Sequence, residues 1–286
     1  RRPMTYPTNV TYGKGFEVQS MTDKIADAEK FMLDKPQREC SVVHSFGPGV
    51  YIREVTIPAD TFAIGHHQNF EHMNVMLKGR VSVVQDDGTV KELVAPLIYT
   101  GKPGRKVGYI HEDVVWLNIY PTELRDVAEL EAKYITKSEA FELSQEKTLL
   151  LQNMVDSDDY KKALTEFGVT EKVAQEQSNN TSDLIDFPDG SYKVAVQPST
   201  RHGKGLFSTS KIAAGEVICP ARLGGHRTPA GRYTNHAKTP NAEFRSLGAG
   251  DIELVALTDI SGCHGGRIGD EITVDYRQAR ALALSL

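Results

Sequence analysis

Four stretches of this sequence carry side chains whose types and spacing suit chemistry. Three lie in the last third: Arg201-His202-Gly203-Lys204-Gly205-Leu206-Phe207, Arg232-Tyr233-Thr234-Asn235-His236, and Gly269-Asp270-Glu271-Ile272-Thr273-Val274-Asp275-Tyr276. Glycines at 203 and 205 allow a backbone to approach a charged ligand, because no side chain intervenes and positive φ costs glycine little. A phenol such as Tyr276 can orient an incoming nucleophile and stabilise a reacting centre. It need not be a strong base, since its ordinary pKa is about 10. The fourth stretch, Gly65-His66-His67-Gln68-Asn69-Phe70-Glu71-His72, gathers imidazoles and a carboxylate of the kind that hold a first-row metal. Taken singly, Gly203-Lys204-Gly205 is an ordinary turn and Asn235-His236 a polar one. Cys263 beside His264 lacks the further partners that a structural zinc site requires.

These residues need elements to position them. Ile25, Ala28, Phe31 and Met32 recur at helical spacing within residues 22–35, which predicts an N-terminal helix. From Tyr51 to Tyr120 the pattern is short β segments: Tyr51–Ile57, Val75–Leu77, Val81–Val84 and Val114–Tyr120. Turn signals at Gly47-Pro48-Gly49, Asp86-Asp87-Gly88 and Lys102-Pro103-Gly104 punctuate this region, which predicts an antiparallel sandwich or barrel. Residues 123–178 are helical in pattern. Leu124, Val127, Leu130 and Tyr134 share one face of a first helix, and Phe141, Leu149, Leu150 and Met154 mark a second. A third is predicted to start at Ser157 as N-cap and to stop before Gly168, after which Gln175 to Asp189 reads as a polar linker. Strands return at Lys193–Val196, Glu216–Cys219, Ile252–Leu257 and Glu271–Val274, with a short helix expected over Arg277–Leu286. The expected organisation is a β domain with its N-terminal helix over residues 1–135, an acidic helical linker over 136–190 and a second β domain over 191–286.

At 286 residues, 40% hydrophobic and 25% charged, the chain has the composition of a globular protein with room for two domains. No apolar run approaches the roughly 20 residues that span a bilayer, and no secretory leader is evident, so a cytoplasmic location without a membrane partner is expected. Three scattered cysteines, Cys40, Cys219 and Cys263, give no disulfide framework and suit a reducing compartment. The net charge of −5 is unevenly distributed. Residues 136–190 hold 5 Lys/Arg against 12 Asp/Glu, whereas residues 191–286 hold 12 against 8. A mildly basic C-terminal part suits an anionic cofactor group or an acidic partner and is too weak a bias for nucleic-acid binding.

Taken in order, the three C-terminal strings resemble the SET-domain protein-lysine methyltransferases over roughly residues 192–276. The continuation Pro240-Asn241-Ala242-Glu243-Phe244 and the stretch Glu253–Ile260 add to the resemblance. It implies a small β-fold with a C-terminal pseudoknot and S-adenosyl-L-methionine as cofactor. It also implies cofactor binding by His202, Gly203, Lys204, Gly205, Leu206, Arg232, Tyr233, Asn235 and His236, and a catalytic role for Tyr276. The sequence departs from the family in its short 207–231 segment, in Ala237 where a serine commonly follows the Asn-His pair, and in lacking a cysteine-rich segment after Tyr276.

Residues 50–120 resemble the cupins, in particular the small cupin-like proteins of bacteriophages. The resemblance rests on the His66–His72 stretch, on Lys78-Gly79-Arg80-Val81, on Lys102–Tyr109 and on His111–Trp116. It implies a double-stranded β-helix, giving a mainly β fold overall. A divalent metal would fall to His66, Glu71 and His72, although Lys106 or Val107 stands near the place of the family's further histidine and His111 comes late. The leading expectation is a lysine methyltransferase acting on a protein substrate, with the cupin as scaffold or homodimerisation unit. Two alternatives stand beside it: a virion-associated phage protein using both domains as scaffolds, in the host cytoplasm or the particle, and a metal-dependent cupin enzyme.

Overall fold

The computed structural model describes residues 20–152 and 157–284. Helix α1 (Met21–Leu33) begins at Ser20, whose hydroxyl accepts from the Asp23 N–H while the Asp23 carboxylate accepts from the Ser20 N–H, so two otherwise unpaired donors are satisfied. Nine strands follow, with one helix before the last: β1 (Ser41–Gly47), β2 (Val50–Ile57), β3 (Thr61–Ile64), β4 (His67–Gln68), β5 (His72–Val84), β6 (Val90–Val94), β7 (Leu97–Gly101), β8 (Val107–Pro121), α2 (Val127–Tyr134) and β9 (Ile135–Thr136).

β5 and β8 pair along most of their length, and each carries two further partners in series. On β8 these are β3 and β2; on β5 they are β7 and β6. The inner face is closed by Met76, Val81, Val83, Ile110 and Val114. The sequence reading split β5 into Val75–Leu77 and Val81–Val84, but it is one strand bent at Gly79. There φ is +97°, and a Cβ would lie 2.4 Å from the Asp113 carbonyl oxygen, so only glycine permits the crossing of β8.

The acidic connector forms α3 (Glu139–Gln152), α4 (Ser157–Glu166) and α5 (Glu171–Asn179). Met154 lies outside the described residues. The expected linker is shorter than 175–189, because α5, capped by the Thr170 hydroxyl on the Val173 N–H, runs through Asn179. Next come β10 (Gly190–Tyr192), β11 (Val194–Pro198), β12 (Lys204–Ser208), β13 (Val217–Leu223), β14 (His226–Arg227), α6 (Pro229–Tyr233), β15 (Asn235–His236), β16 (Ala242–Gly248), β17 (Asp251–Ala256), β18 (Glu271–Val274) and α7 (Tyr276–Leu284). They make two four-stranded sheets, β11-β12-β18-β15 and β14-β13-β17-β16.

The two β regions are joined by more than the connector. β10 adds itself to β1, pairing His44 with Tyr192. The Val42 N–H donates to the Thr209 carbonyl at 2.9 Å, and the Thr209 hydroxyl donates back to the Val42 carbonyl at 2.7 Å. One hydrophobic core runs from Phe46, Tyr51 and Tyr120 through Tyr192 and Val194 to Leu206, Ile272 and Val274. Among the described residues no helix is long and apolar enough to cross a membrane.

Candidate functional site

The three C-terminal strings meet through β15 and β18. These strands lie parallel, with Asn235 opposite Thr273 and His236 opposite Val274, which brings residues far apart in sequence side by side. Asn241 fixes that register: its side-chain N–H donates to the Glu271 carbonyl at 2.9 Å, and its side-chain oxygen accepts from the Thr273 N–H at 2.8 Å.

Asn235 is the hub. Its side-chain amide nitrogen lies 3.3 Å from the His202 carbonyl, 3.2 Å from the Lys204 carbonyl and 2.7 Å from the Glu271 carboxylate, so one side chain holds the first string against the third. Glu271 is buried and also accepts from the Ser199 hydroxyl at 2.8 Å, while its other oxygen faces the Arg201 guanidinium at 3.3 Å. A buried carboxylate is tolerable only with such partners. No local signal in the sequence marks Glu271 within Gly269–Tyr276, because its partners Ser199, Arg201 and Asn235 are distant along the chain.

The reason for Gly205 also changes. It was expected to admit the cofactor, yet a Cβ there would meet the Glu271 carboxylate at 2.4 Å, so the space is taken by a side chain of the protein. Leu206 does not line the cleft between α4, α5 and the C-terminal sheets: it is fully buried in the shared core, where β12 pairs with β18 opposite Ile272. Gly203 keeps an open surface, and its φ of +53° turns β11 into β12.

His236 has both ring nitrogens engaged. Nδ1 accepts from the Tyr276 N–H at 3.1 Å, so Nε2 carries the proton and donates to the Asp159 carboxylate at 3.0 Å. Asp159 also accepts from Arg277 at 2.9 Å, and these hydrogen bonds, Arg277 first, hold its carboxyl below the usual aspartate range. The Tyr276 hydroxyl donates to the Thr234 carbonyl at 3.3 Å, and burial pushes its pKa up, so the phenol stays protonated at neutral pH.

Tyr160 on α4 escaped the sequence reading, because nothing in an acidic helix marks a ring for a site in another region. Its ring centroid lies 6.0 Å from that of His202, 6.4 Å from His236 and 6.1 Å from Tyr276. These rings border a cleft of about 1160 Å³ between α4, α5 and the C-terminal sheets. Of the expected cofactor residues, His202, Gly203, Lys204, Arg232, Tyr233, Asn235 and His236 line it, as does Tyr276. The Arg232 guanidinium lies 5.1 Å and the Lys204 ammonium 5.7 Å from the Tyr233 ring centroid, and Arg232 Nε is buried without a hydrogen-bond partner.

The N-terminal histidines are arranged differently. His72 stacks on Tyr120, with Nε2 accepting from the Asn118 amide at 3.1 Å and Nδ1 therefore donating to the Phe70 carbonyl at 3.0 Å. Asn118 also donates to Asn74, which accepts from the Trp116 indole at 2.8 Å. His66 instead stands edge-on to Phe141 of α3, at 4.5 Å between centroids, with burial lowering its pKa to about 3. Glu71 is exposed, His111 bonds to Ser82, and Lys106 packs against Tyr99. Thus His66, Glu71 and His72 are not brought together, and among the described residues no three His, Cys, Asp or Glu side chains could hold a metal ion. The local donor set does not fit a metal, because both His72 ring nitrogens are taken by hydrogen bonds, His66 packs against Phe141 and Glu71 is exposed.

No family model matches the chain, and no curated protein matches it. Solved structures resemble it over about a third of its length. A cupin-domain protein of Bordetella pertussis is 15% identical with a TM-score of 0.26, covering 31% of this chain and 98% of that one. A cupin-2 domain protein of Shewanella frigidimarina is 14% identical with a TM-score of 0.24, covering 34% and 92%. The EutQ protein of Clostridium difficile is 12% identical with a TM-score of 0.25, covering 30% and 70%.

Proposed function

We propose that the chain is an S-adenosylmethionine-dependent protein-lysine N-methyltransferase of SET type over residues 191–286, carried by a cupin-type scaffold over residues 1–135. The observation that carries this reading is the parallel pairing of β15 with β18. It gathers the His202-Gly203-Lys204 turn, Asn235, His236 and Tyr276 at one cleft. Burial of Arg232 Nε without a partner, with the Lys204 ammonium against the same Tyr233 ring, supports a nearby anionic group such as the carboxylate of the cofactor's amino-acid end. When bound, S-adenosylmethionine supplies an electrophilic methyl group on a sulfonium.

The protein's part is positional. Asn235 holds the turn backbone of His202 and Lys204 in place, and His236 fixes the Tyr276 backbone from which the phenol projects. Since that phenol stays protonated and both His236 nitrogens are engaged, neither serves as a strong base. Tyr276 orients the acceptor amine by hydrogen bonding and stabilises the reacting centre electrostatically. The linker residues 136–190 belong to the site in this reading, because α4 supplies Tyr160 and the Asp159 contact.

Calorimetric titration with S-adenosylmethionine or S-adenosylhomocysteine tests the proposal. Wild type binds, and Asn235→Ala weakens binding sharply. A wild-type protein that binds neither compound ends this reading.

A further inference from the structure

The charge on the cleft walls is strongly one-sided. Lys161, Arg201, Lys204, Arg227, Arg232 and Arg280 line it, against the single carboxylate of Glu171 among the described residues. Two of these cations already have anionic partners, Arg201 in Glu271 and Arg227 in Asp183 at 2.7 Å. Lys161 and Glu171, both exposed, stand 3.8 Å apart, which neutralises little in water. Lys204, Arg232 and Arg280 make ring contacts, Arg280 also donates to the Phe167 carbonyl at 3.2 Å, and none of the three forms an ion pair among the described residues. Asp159 and Glu166 both bind Arg277, at 2.9 and 2.6 Å, so these two carboxylates of α4 are already paired, while Lys161 lines the cleft.

Such a cleft attracts anions, and at about 1160 Å³ it exceeds the roughly 300–1,000 Å³ usual for one small ligand. Its α5 wall offers Gln175 and Gln177, side chains able both to donate to and accept from a peptide backbone. We propose that the cleft binds an acidic peptide segment of the substrate, in which the acceptor lysine is flanked by Asp or Glu. The acceptor role of that lysine rests on the methyltransferase reading, in which Arg232 and Lys204 face the cofactor's carboxylate; the preference for acidic peptide rests on the remaining wall charge, that of Lys161 and Arg280. Fixed positive walls would draw the acidic flanks in, while a lysine flanked by Arg or Lys would be repelled.

Fluorescence anisotropy with rhodamine-labelled peptides tests this on the full chain in the presence of S-adenosylhomocysteine. The peptides carry one lysine among Asp/Glu, among Ser/Gly or among Arg, and a single-stranded oligonucleotide of matching negative charge is the fourth probe. The acidic peptide is expected to bind at least about tenfold more tightly than the neutral one, with affinity falling as salt rises. Lys161→Glu, and separately Arg280→Glu, should each cut that preference about threefold or more while calorimetric affinity for S-adenosylhomocysteine stays within about twofold. Equal binding of acidic and neutral peptides, indifference to both charge reversals, or tighter binding of the oligonucleotide would each overturn the proposal. Acidic-peptide selectivity without any cofactor binding would remove the methyltransferase reading and leave the peptide surface standing.

Discussion

His72 and His236 are almost equally buried, at 4% and 5% exposure, and each has both ring nitrogens hydrogen-bonded. Their partners differ. Those of His72 come from its own β region: a carbonyl two residues away and Asn118, itself tied to Asn74 and Trp116. Those of His236 come from α4 and from the residue after β18, and the ring borders an open cleft. A histidine bonded within a packed network contributes to stability. One that ties separate elements together at a cavity sets the geometry of that cavity's wall. Burial and pairing alone do not distinguish the two; where the partners come from does.

The largest expected effect separates the two histidines. His236→Ala should weaken cofactor binding by about a hundredfold, roughly 2.7 kcal/mol, whereas His72→Ala should leave cofactor binding intact and cost about 1–3 kcal/mol of stability. Calorimetry and thermal unfolding of both variants decide this, and equal loss of cofactor affinity in the two would break the comparison.

Tyr276→Phe keeps the ring and removes the hydroxyl. Transfer of the methyl group should fall about tenfold or more, equivalent to about 1.4 kcal/mol, with cofactor affinity near normal. Labelled cofactor incubated with cell lysate and read by mass spectrometry provides the assay; equal transfer by both proteins would take Tyr276 out of the mechanism.

The N-terminal region should instead show itself through pH. Burial lowers the pKa of His44 to about 3, against an unfolded value near 6.5. Between those values the unfolded chain takes up a proton that the folded one refuses, so stability falls as pH drops, by about 1.4 kcal/mol per unit below pH 6.5 at most. Chemical denaturation at pH 7.5 and 5.5 should show this loss in wild type and a smaller one in His44→Gln. A wild-type curve no steeper than that of the variant would refute the assignment.

The smallest expected effect is that of metal removal. With His66, Glu71 and His72 dispersed, dialysis against a chelator should move the unfolding midpoint by no more than about 1 °C, within the shift that a few tenths of a kcal/mol produces. A clear drop, or a stoichiometric metal in elemental analysis, would bring back a metal-bearing N-terminal region.

The sequence alone determined where the strands and helices lie whenever period and punctuation agree locally. Glu271–Val274 was placed to the residue, α4 was found from Ser157 to before Gly168, and the turns at Gly49, Gly88 and Gly104 all carry positive φ. It also marked the three strings whose side chains gather at the cleft, because residue type and order survive as text. Other features required the tertiary structure. The bend in β5 depends on how closely Asp113 approaches Gly79, and the need for Gly205 depends on the Glu271 carboxylate beside it. Tyr160 and Asp159 reach the site because α4 packs across it, and His66 meets Phe141 of α3 edge-on rather than joining the other histidines. Local propensity acts over a few residues and is written in the chain. Which distant side chain fills a given space is fixed by packing, which no local pattern records.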